Sequence, residues 1–284
     1  MREILYSPTM SLIVAIQGER GAFSETAARQ LLGASIDVLP CRSFDDVFAA
    51  VQSAAAACAV IPIENTLAGS VLRNYELLGA AGLEIAGESL LRIRLSVMAR
   101  PGTKLADVRR VLSHPVALAQ CQRFLAAHPD IEAVAVYDTA GGVKLMMEEG
   151  GPDEAAIAGA PAAELYGASI LAEDIEDHAQ NYTRFLLVAK HGSIPKRSGP
   201  RKTTVLFRTP NKPGSLFRAL AVFALRDINL TKLESRPIEG RPWEYQFYAD
   251  IDGELGETNV EHALGHLREM CETVVVLGSY AAAE

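Results

Sequence analysis

The chain has 284 residues, enough for about two domains at roughly 150 residues each. Hydrophobic residues make up 49% and charged residues 22%, so there is ample apolar side chain to offset ordering entropy, and this is not the composition of a disordered chain. The formal net charge of −8 argues against nucleic acid as a partner, because a basic face would have to be segregated, and the clusters Arg109-Arg110, Lys196-Arg197 and Arg201-Lys202 are short.

Cys41, Cys58, Cys121 and Cys271 are too far apart for a zinc-ligand spacing or a disulfide framework. They read as small apolar residues in a reducing compartment. The apolar stretch from Ala49 to Ile63 is broken by Gln52 and Ser53 and is too short for a bilayer. The run from Ser11 to Ile16 is too brief for a signal-peptide core. The expectation is a cytoplasmic protein with no membrane partner.

Met1 to Thr9 reads as an extension, with Met10 an alternative start. Leu12 to Gln17 then reads as a buried strand running into the Gly18–Gly21 turn and a helix from about Ser24. A strand follows at Ile36–Leu39, then a helix capped by Ser43 with Asp45 and Asp46 in its first turn, then a strand at Cys58–Ile63. A helix is expected over Ser70–Leu78 and one long strand over Leu90–Ala99. Further strands are expected at Val108–Leu112, Val134–Tyr137, Ala155–Ala158 and Phe185–Ala189. The intervening helices are Val116–Ala126, Gly142–Glu149 and Pro161–Tyr166, the last with proline in its first turn. This alternation is that of parallel sheets covered by helices.

From His191 to Lys202 glycine, serine and proline cluster with basic residues, which reads as a linker. Beyond it the order is β (Thr203–Phe207), α (Gly214–Leu225), β (Asn229–Glu234), β (Glu244–Ile251), α (Thr258–Cys271), β (Val274–Leu277). That βαββαβ order is the ferredoxin-like split unit.

Ligands of parallel α/β sheets bind beyond the carboxyl ends of the strands. Polar clusters recur at those ends here: Gly18-x-x-Gly21-x-x-Ser24, Glu64-Asn65-Thr66, Ser113-His114, Asp138-Thr139 and Asn181-Tyr182-Thr183-Arg184. The glycine pair lacks the spacing of a dinucleotide fingerprint. Any one cluster would pass for capping chemistry, His114 for a hydrogen-bonding strand end and Asp138 for an N-cap; their repetition is harder to explain that way.

The stretches Gln17–Glu25, Pro62-Ile-Glu-Asn-Thr-Leu-Ala-Gly-Ser-Val71, Ser113-His-Pro-Val-Ala-Leu-Ala-Gln-Cys121, Asp138-Thr-Ala140 and Asn181-Tyr-Thr-Arg-Phe185 resemble those of the prephenate dehydratase family. The final segment resembles the ACT regulatory domain, with Gly214-Ser-Leu216 and Glu234-Ser-Arg-Pro237 in place of its two phenylalanine-binding motifs. The resemblance implies an α/β fold: a two-lobed catalytic region over residues 11–190, like type 2 periplasmic binding proteins, and an ACT domain over 203–280. The lobes would be 11–88 with 165–190, and 89–164, joined to the ACT domain by a linker over 191–202. It implies loss of water and carbon dioxide from prephenate, driven by aromatisation, with no cofactor and no metal. Two departures stand out. Val116 replaces the glutamine usual after Ser-His-Pro, which bears on substrate preference, and Ser215 replaces the usual alanine.

In that reading the catalytic residues are Thr183, Asn65 and Ser113, with Thr183 at the leaving hydroxyl. Ser24, Glu64, Thr66, His114, Thr139, Arg184 and Phe185 bind substrate. Thr183 and Arg184 are strand neighbours and face opposite sides unless the backbone bends. Glu64 is repelled by a dianion; it is protonated, paired with a cation, or turned away to hold the loop. Asn211, Gly214, Ser215, Leu216, Glu234, Ser235, Arg236 and Pro237 form the phenylalanine site, at an interface between two ACT domains of a homodimer or homotetramer. Trp243 and Tyr245 read as core or interface residues rather than ligand contacts. The competing readings are arogenate dehydratase, the same elimination on the amino-acid form of the substrate, and a non-catalytic amino-acid sensor.

Overall fold

The computed structural model of the chain describes residues 11–195 and 197–283; the expected extension at Met1 to Thr9 and the basic residue Lys196 lie outside them. The elements in chain order are β1 (Leu12–Gln17), α1 (Phe23–Leu32), β2 (Ile36–Cys41), α2 (Phe44–Gln52), β3 (Cys58–Asn65), β4 (Gly69–Ser70), α3 (Leu72–Ala81), β5 (Glu84–Arg92) and β6 (Ser96–Ala99). There follow β7 (Arg110–Ser113), α4 (Pro115–Ala119), α5 (Gln122–Ala127), β8 (Glu132–Ala135), α6 (Thr139–Glu148), β9 (Glu154–Ala158), α7 (Ala160–Tyr166), β10 (Ser169–Ala172) and β11 (Tyr182–Ala189). The chain ends with β12 (Arg201–Arg208), α8 (Ser215–Ala224), β13 (Leu230–Ile238), β14 (Arg241–Asp252), α9 (Thr258–Met270) and β15 (Thr273–Ala281).

Ser43 caps α2 as its sequence predicts: its hydroxyl accepts the N–H of Asp46, and the Asp46 carboxylate accepts the N–H of Ser43. Asp138 likewise caps α6, taking the N–H of Gly141 at 2.9 Å. The helix expected from Val116 breaks into α4 and α5. Asp177 explains the break: its carboxylate accepts the N–H groups of Gln122 and Arg123, both at 2.9 Å, and starts a new helix there. The single strand expected over Leu90–Ala99 is also two, because the chain leaves one sheet at Arg92 and enters another at Ser96. The helix expected from Ser70 begins at Leu72, since Gly69 and Ser70 pair back onto β3. The strand β10 was not foreseen, and Arg201 and Lys202 belong to β12 rather than to the linker.

Two sheets carry the first part of the chain. One has the order β2-β1-β3-β11-β5, with β4 on β3, and its β1 pairs in parallel with both β2 and β3. The other has the order β10-β6-β9-β7-β8, parallel across β8-β7-β9 and antiparallel beyond. Both sheets are covered by helices, and α6 packs on the second over Met98, Leu112, Ala156 and Ala158.

By contacts the chain divides into one unit of 1–71 with 90–185, and another of 72–89 with 186–284. Beside the expected lobe of 11–88 with 165–190, this grouping puts α3 and most of β5 with the C-terminal residues, while β5 still pairs with β11 in the sheet of β1 and β3. Within that second unit the Tyr248 hydroxyl donates to the Tyr75 carbonyl at 2.6 Å, Arg236 pairs with Glu76 at 2.7 Å, and Lys202 with Glu88 at 2.7 Å. The four-stranded sheet of this unit has the order β13-β14-β12-β15 and is antiparallel throughout, the ferredoxin-like arrangement. Its core is Val205, Phe207, Val222, Phe223, Ile251, Leu264 and Leu267 under α8 and α9. Among the described residues no helix is long and apolar enough to cross a membrane.

Candidate active site

A cavity of about 580 Å³ opens in the first unit where the carboxyl ends of its strands converge. Its wall includes Gln17 from the end of β1, Ser24 from α1, Arg42 just past β2, Asn65 from β3 and Ser70 from β4. His114, Val116 and Gln120 come from the turn and helix after β7, Asp138 and Thr139 from the start of α6, and Thr183 and Phe185 from β11.

Asn65 is the centre of the polar wall. Its side-chain oxygen accepts the backbone N–H groups of Leu67 and Ala68 at 3.0 and 2.8 Å. Those two donors fix which way the amide faces, so its NH₂ must point to the other side. There it finds Asn181 Oδ1 at 2.8 Å, Thr183 Oγ1 at 2.9 Å and the Tyr182 carbonyl at 3.0 Å. Gln120 closes the network: its amide NH₂ donates to Asn65 Oδ1 at 3.3 Å and its oxygen accepts from Asn181 at 2.9 Å. Asn65, expected as a catalytic residue, has both amide hydrogens committed to protein acceptors, one of them the Thr183 hydroxyl whose orientation it fixes. A hydroxyl has one donor and two acceptor positions. With Asn65 on one acceptor, the Thr183 O–H is left to donate into the cavity.

Another part of the wall is organised by His114 and Asp138. Nδ1 of His114 accepts the Val116 N–H at 3.2 Å and caps α4. That acceptor role puts the proton of the neutral ring on Nε2. Burial pushes the His114 pKa down, against the opposing pull of the Asp138 charge, so the ring is held neutral. Burial pushes Asp138 up, partly offset by N–H groups of Gly141, Glu19 and Thr139. Gly18 is what lets Asp138 approach: its φ is +95°, and a Cβ there would sit 2.8 Å from the Asp138 carboxylate. Glu19 extends the contact, accepting from the Tyr137 hydroxyl at 3.2 Å and pairing with Lys144 at 3.1 Å.

The cavity therefore brings together Ser24, Asn65, His114, Thr139, Thr183 and Phe185 of the residues expected from sequence. Four others are corrected. Ser113 is fully buried and donates to the Ile157 carbonyl at 2.6 Å, so it ties β7 to β9 instead of meeting a ligand. The Thr66 hydroxyl donates to the Gln180 carbonyl and accepts the Tyr182 N–H, both at 3.0 Å, outside the cavity wall. Glu64 and Arg184 are also absent from the wall, each the strand neighbour of a residue that is present. The sequence reading missed Gln17, Arg42, Ser70 and Gln120. Arg42 and Gln17 lie at strand ends, where the same carboxyl-end rule applies.

A second, smaller cavity of about 160 Å³ lies in the ferredoxin-like region, lined by Asn211, Lys212, Ser215, Leu216, Trp243, Tyr245 and their neighbours. Gly214 is the N-cap of α8 in the left-handed conformation, φ +78°, which glycine adopts without strain. Trp243 is 81% exposed in one chain, so of the two expected places, core or interface, it is not in the core; it and Tyr245 line this cavity, where they were not expected as ligand contacts. Glu234, Ser235, Arg236 and Pro237 lie on β13 beside β14 and do not line the cavity in one chain. Arg236 instead engages Glu76 and holds that carboxyl below the usual range.

A family model described as prephenate dehydratase matches residues 14–193, and one described as ACT domain matches 203–265. Arogenate dehydratase 2 of Petunia hybrida is 44% identical over 283 residues, covering 95% of this chain and 71% of that protein. The solved structure of prephenate dehydratase from Arthrobacter aurescens in complex with L-Phe is similar with a TM-score of 0.87 at 35% identity, covering 95% of this chain and 90% of that one. GqqA, described as a novel type of quorum-quenching acylase, is similar with a TM-score of 0.86 at 38% identity, over 95% and 98% of the two chains.

Proposed function

The chain belongs to the prephenate dehydratase family and carries an ACT domain, and on that premise we propose that it converts prephenate to phenylpyruvate under feedback control by phenylalanine. The bond from the ring to its carboxylate breaks, and its electron pair enters the ring as carbon dioxide departs. The ring C–O bond then breaks and the hydroxyl leaves with a proton as water. The balance is prephenate and one proton to phenylpyruvate, carbon dioxide and water.

The observation that carries this reading is the 2.9 Å hydrogen bond from Asn65 to Thr183 at the cavity wall. It leaves the Thr183 O–H as a donor for the departing hydroxyl. Threonine is too weak an acid to be a proton reservoir, so its part is a preorganised hydrogen bond and a relay of a solvent proton. The Nε2–H of neutral His114 is a second donor at the cavity wall. Arogenate is the second reading, favoured by the name of the Petunia relative and by Val116 in the cavity wall where the family usually has glutamine.

The effector proposal rests on the ACT domain and on the L-Phe named for the Arthrobacter structure. In it the small cavity receives the amino acid, and the β13 motif Glu234–Pro237 of a second copy completes the site. Exposed Phe217, Leu225 and Trp243 support a homodimer or homotetramer.

The test is incubation of the pure protein with prephenate and, separately, arogenate, followed by assay for phenylpyruvate and phenylalanine. Thr183→Ala should lower kcat by about 10²-fold or more, while Thr183→Ser keeps a good part of it. No product from either substrate would overturn the reading.

A further inference from the structure

We infer that Arg42 is the residue that receives the substrate carboxylate retained in the product. The inference rests on the reaction proposed above and deepens it by assigning one of the two carboxylates to a named side chain. Prephenate is a dianion, and this protein has a net charge of −8. A cavity that takes such a ligand needs a local cation. Of the residues lining the cavity, Arg42 is the one carrying a lysine or arginine charge. The other full charges on the wall are Asp45 and Asp138, and the His114 ring is held neutral by burial.

Three features of Arg42 fit the role. It follows Cys41, the last residue of β2, and so stands at a strand's carboxyl end where α/β ligands bind. It makes no hydrogen bond or ion pair with any other described residue, in contrast to Arg29, Arg110 and Lys144, which are each held by a glutamate. Its guanidinium presents the planar donor fork that a carboxylate accepts in bidentate fashion. Arg184, the cation expected from sequence, does not reach the cavity wall.

The chemistry decides which carboxylate it holds. The ring carboxylate loses its charge as it becomes carbon dioxide. A guanidinium fixed on it would stabilise the ground state more than the transition state and slow the reaction. The carboxylate of the pyruvyl arm keeps its charge throughout. A cation there binds ground and transition states alike, which lowers KM and leaves kcat nearly unchanged.

Arg42→Gln should raise the prephenate KM about 10- to 100-fold, the range of a charge-assisted hydrogen-bonded pair, with kcat held within a few-fold. Arg42→Lys should recover part of the loss. A KM equal to the parent's would overturn the assignment, and so would a rise in kcat alongside KM, which would place Arg42 on the departing carboxylate. Phenylpyruvate carries only the retained carboxylate, so its binding to the parent and to Arg42→Gln, measured by calorimetry without turnover, is an independent readout. Weaker binding by about 10-fold or more supports the inference, and equal binding overturns it. A parent that binds phenylpyruvate but turns over neither prephenate nor arogenate would defeat the proposed reaction and leave Arg42 to be judged by the binding comparison; a parent that does neither would defeat both.

Discussion

The candidate active-site cavity and the cavity of the ferredoxin-like region are built in different ways. The larger has a wall cross-linked by side chains from distant parts of the chain: Asn65 to Thr183 spans 118 residues, Asn181 to Gln120 spans 61, and Gln120 to Asn65 spans 55. The smaller is formed by the turn and first residues of α8 around 209–216 and by the start of β14 at 243–247, with one side-chain link between them among the described residues, from Asn211 to the Trp243 carbonyl at 3.5 Å. A wall whose donors and acceptors are committed in advance costs little reorganisation when charge develops in a reaction. A loosely tied mouth with an exposed tryptophan is suited to a ligand that changes its surroundings by binding, which an effector must do. Chemistry and control are thus separated by how much of each site is assembled before the ligand arrives.

The sharpest way to break this comparison is Asn65→Asp. The carboxylate cannot donate, so the Thr183 hydroxyl would turn to donate to it and be lost to the cavity, while the N–H groups of Leu67 and Ala68 stay satisfied. The expected result is a fall in kcat of about 10²-fold with the fold intact by circular dichroism. Near-parental kcat would mean that the network does not orient Thr183. Trp243→Ala addresses the other cavity: inhibition by phenylalanine should weaken about 10-fold or more, with initial rates in its absence unchanged. Ser113→Ala sharpens the distinction between a residue in the wall and one beneath it. Stability should fall by about 1 kcal/mol through the lost bond to Ile157, with kcat within a few-fold of the parent. A collapse of kcat at unchanged stability would return Ser113 to the chemistry.

The smallest effect is a pH dependence. His114 is held below its ordinary pKa, so the folded protein disfavours the imidazolium. Its contribution to stability is present above the unfolded value near 6.5 and is lost as pH falls through the lower folded value. Protonation also turns Nδ1 from acceptor to donor and breaks the cap on α4. The melting temperature should therefore drop on going from pH 7.5 to 5, and part of that drop should disappear in His114→Asn, whose side-chain oxygen can still accept the Val116 N–H. An identical pH profile for both proteins would remove His114 as its cause.

Much of the site was legible before any coordinates. The corrected residues show where legibility stopped. Ser113, Glu64, Thr66 and Arg184 each adjoin a residue that does line the cavity: His114, Asn65 on either side, and Thr183. A motif carries both neighbours, and strand alternation admits one of them. Applying to Glu64-Asn65 the argument made for Thr183-Arg184 would have halved the set. Arg42 was missed because β2 was ended at Leu39, two residues short of Cys41.

By itself the sequence determined most of the order of strands and helices (though not β4, β10 or the breaks between β5 and β6 and between α4 and α5), the caps at Ser43 and Asp138, the βαββαβ order of the C-terminal region and the motifs that mark the family. These depend on side-chain period and on hydrogen bonds within a few residues, which local order settles. Only the tertiary structure decided that α3 groups with the C-terminal region, that one chain leaves Glu234–Pro237 outside the small cavity, and that Asn65, Gln120, Asn181 and Thr183 close one network. Those outcomes depend on which distant backbones come within about 3 Å, a distance that hydrogen bonding requires and that no local pattern encodes.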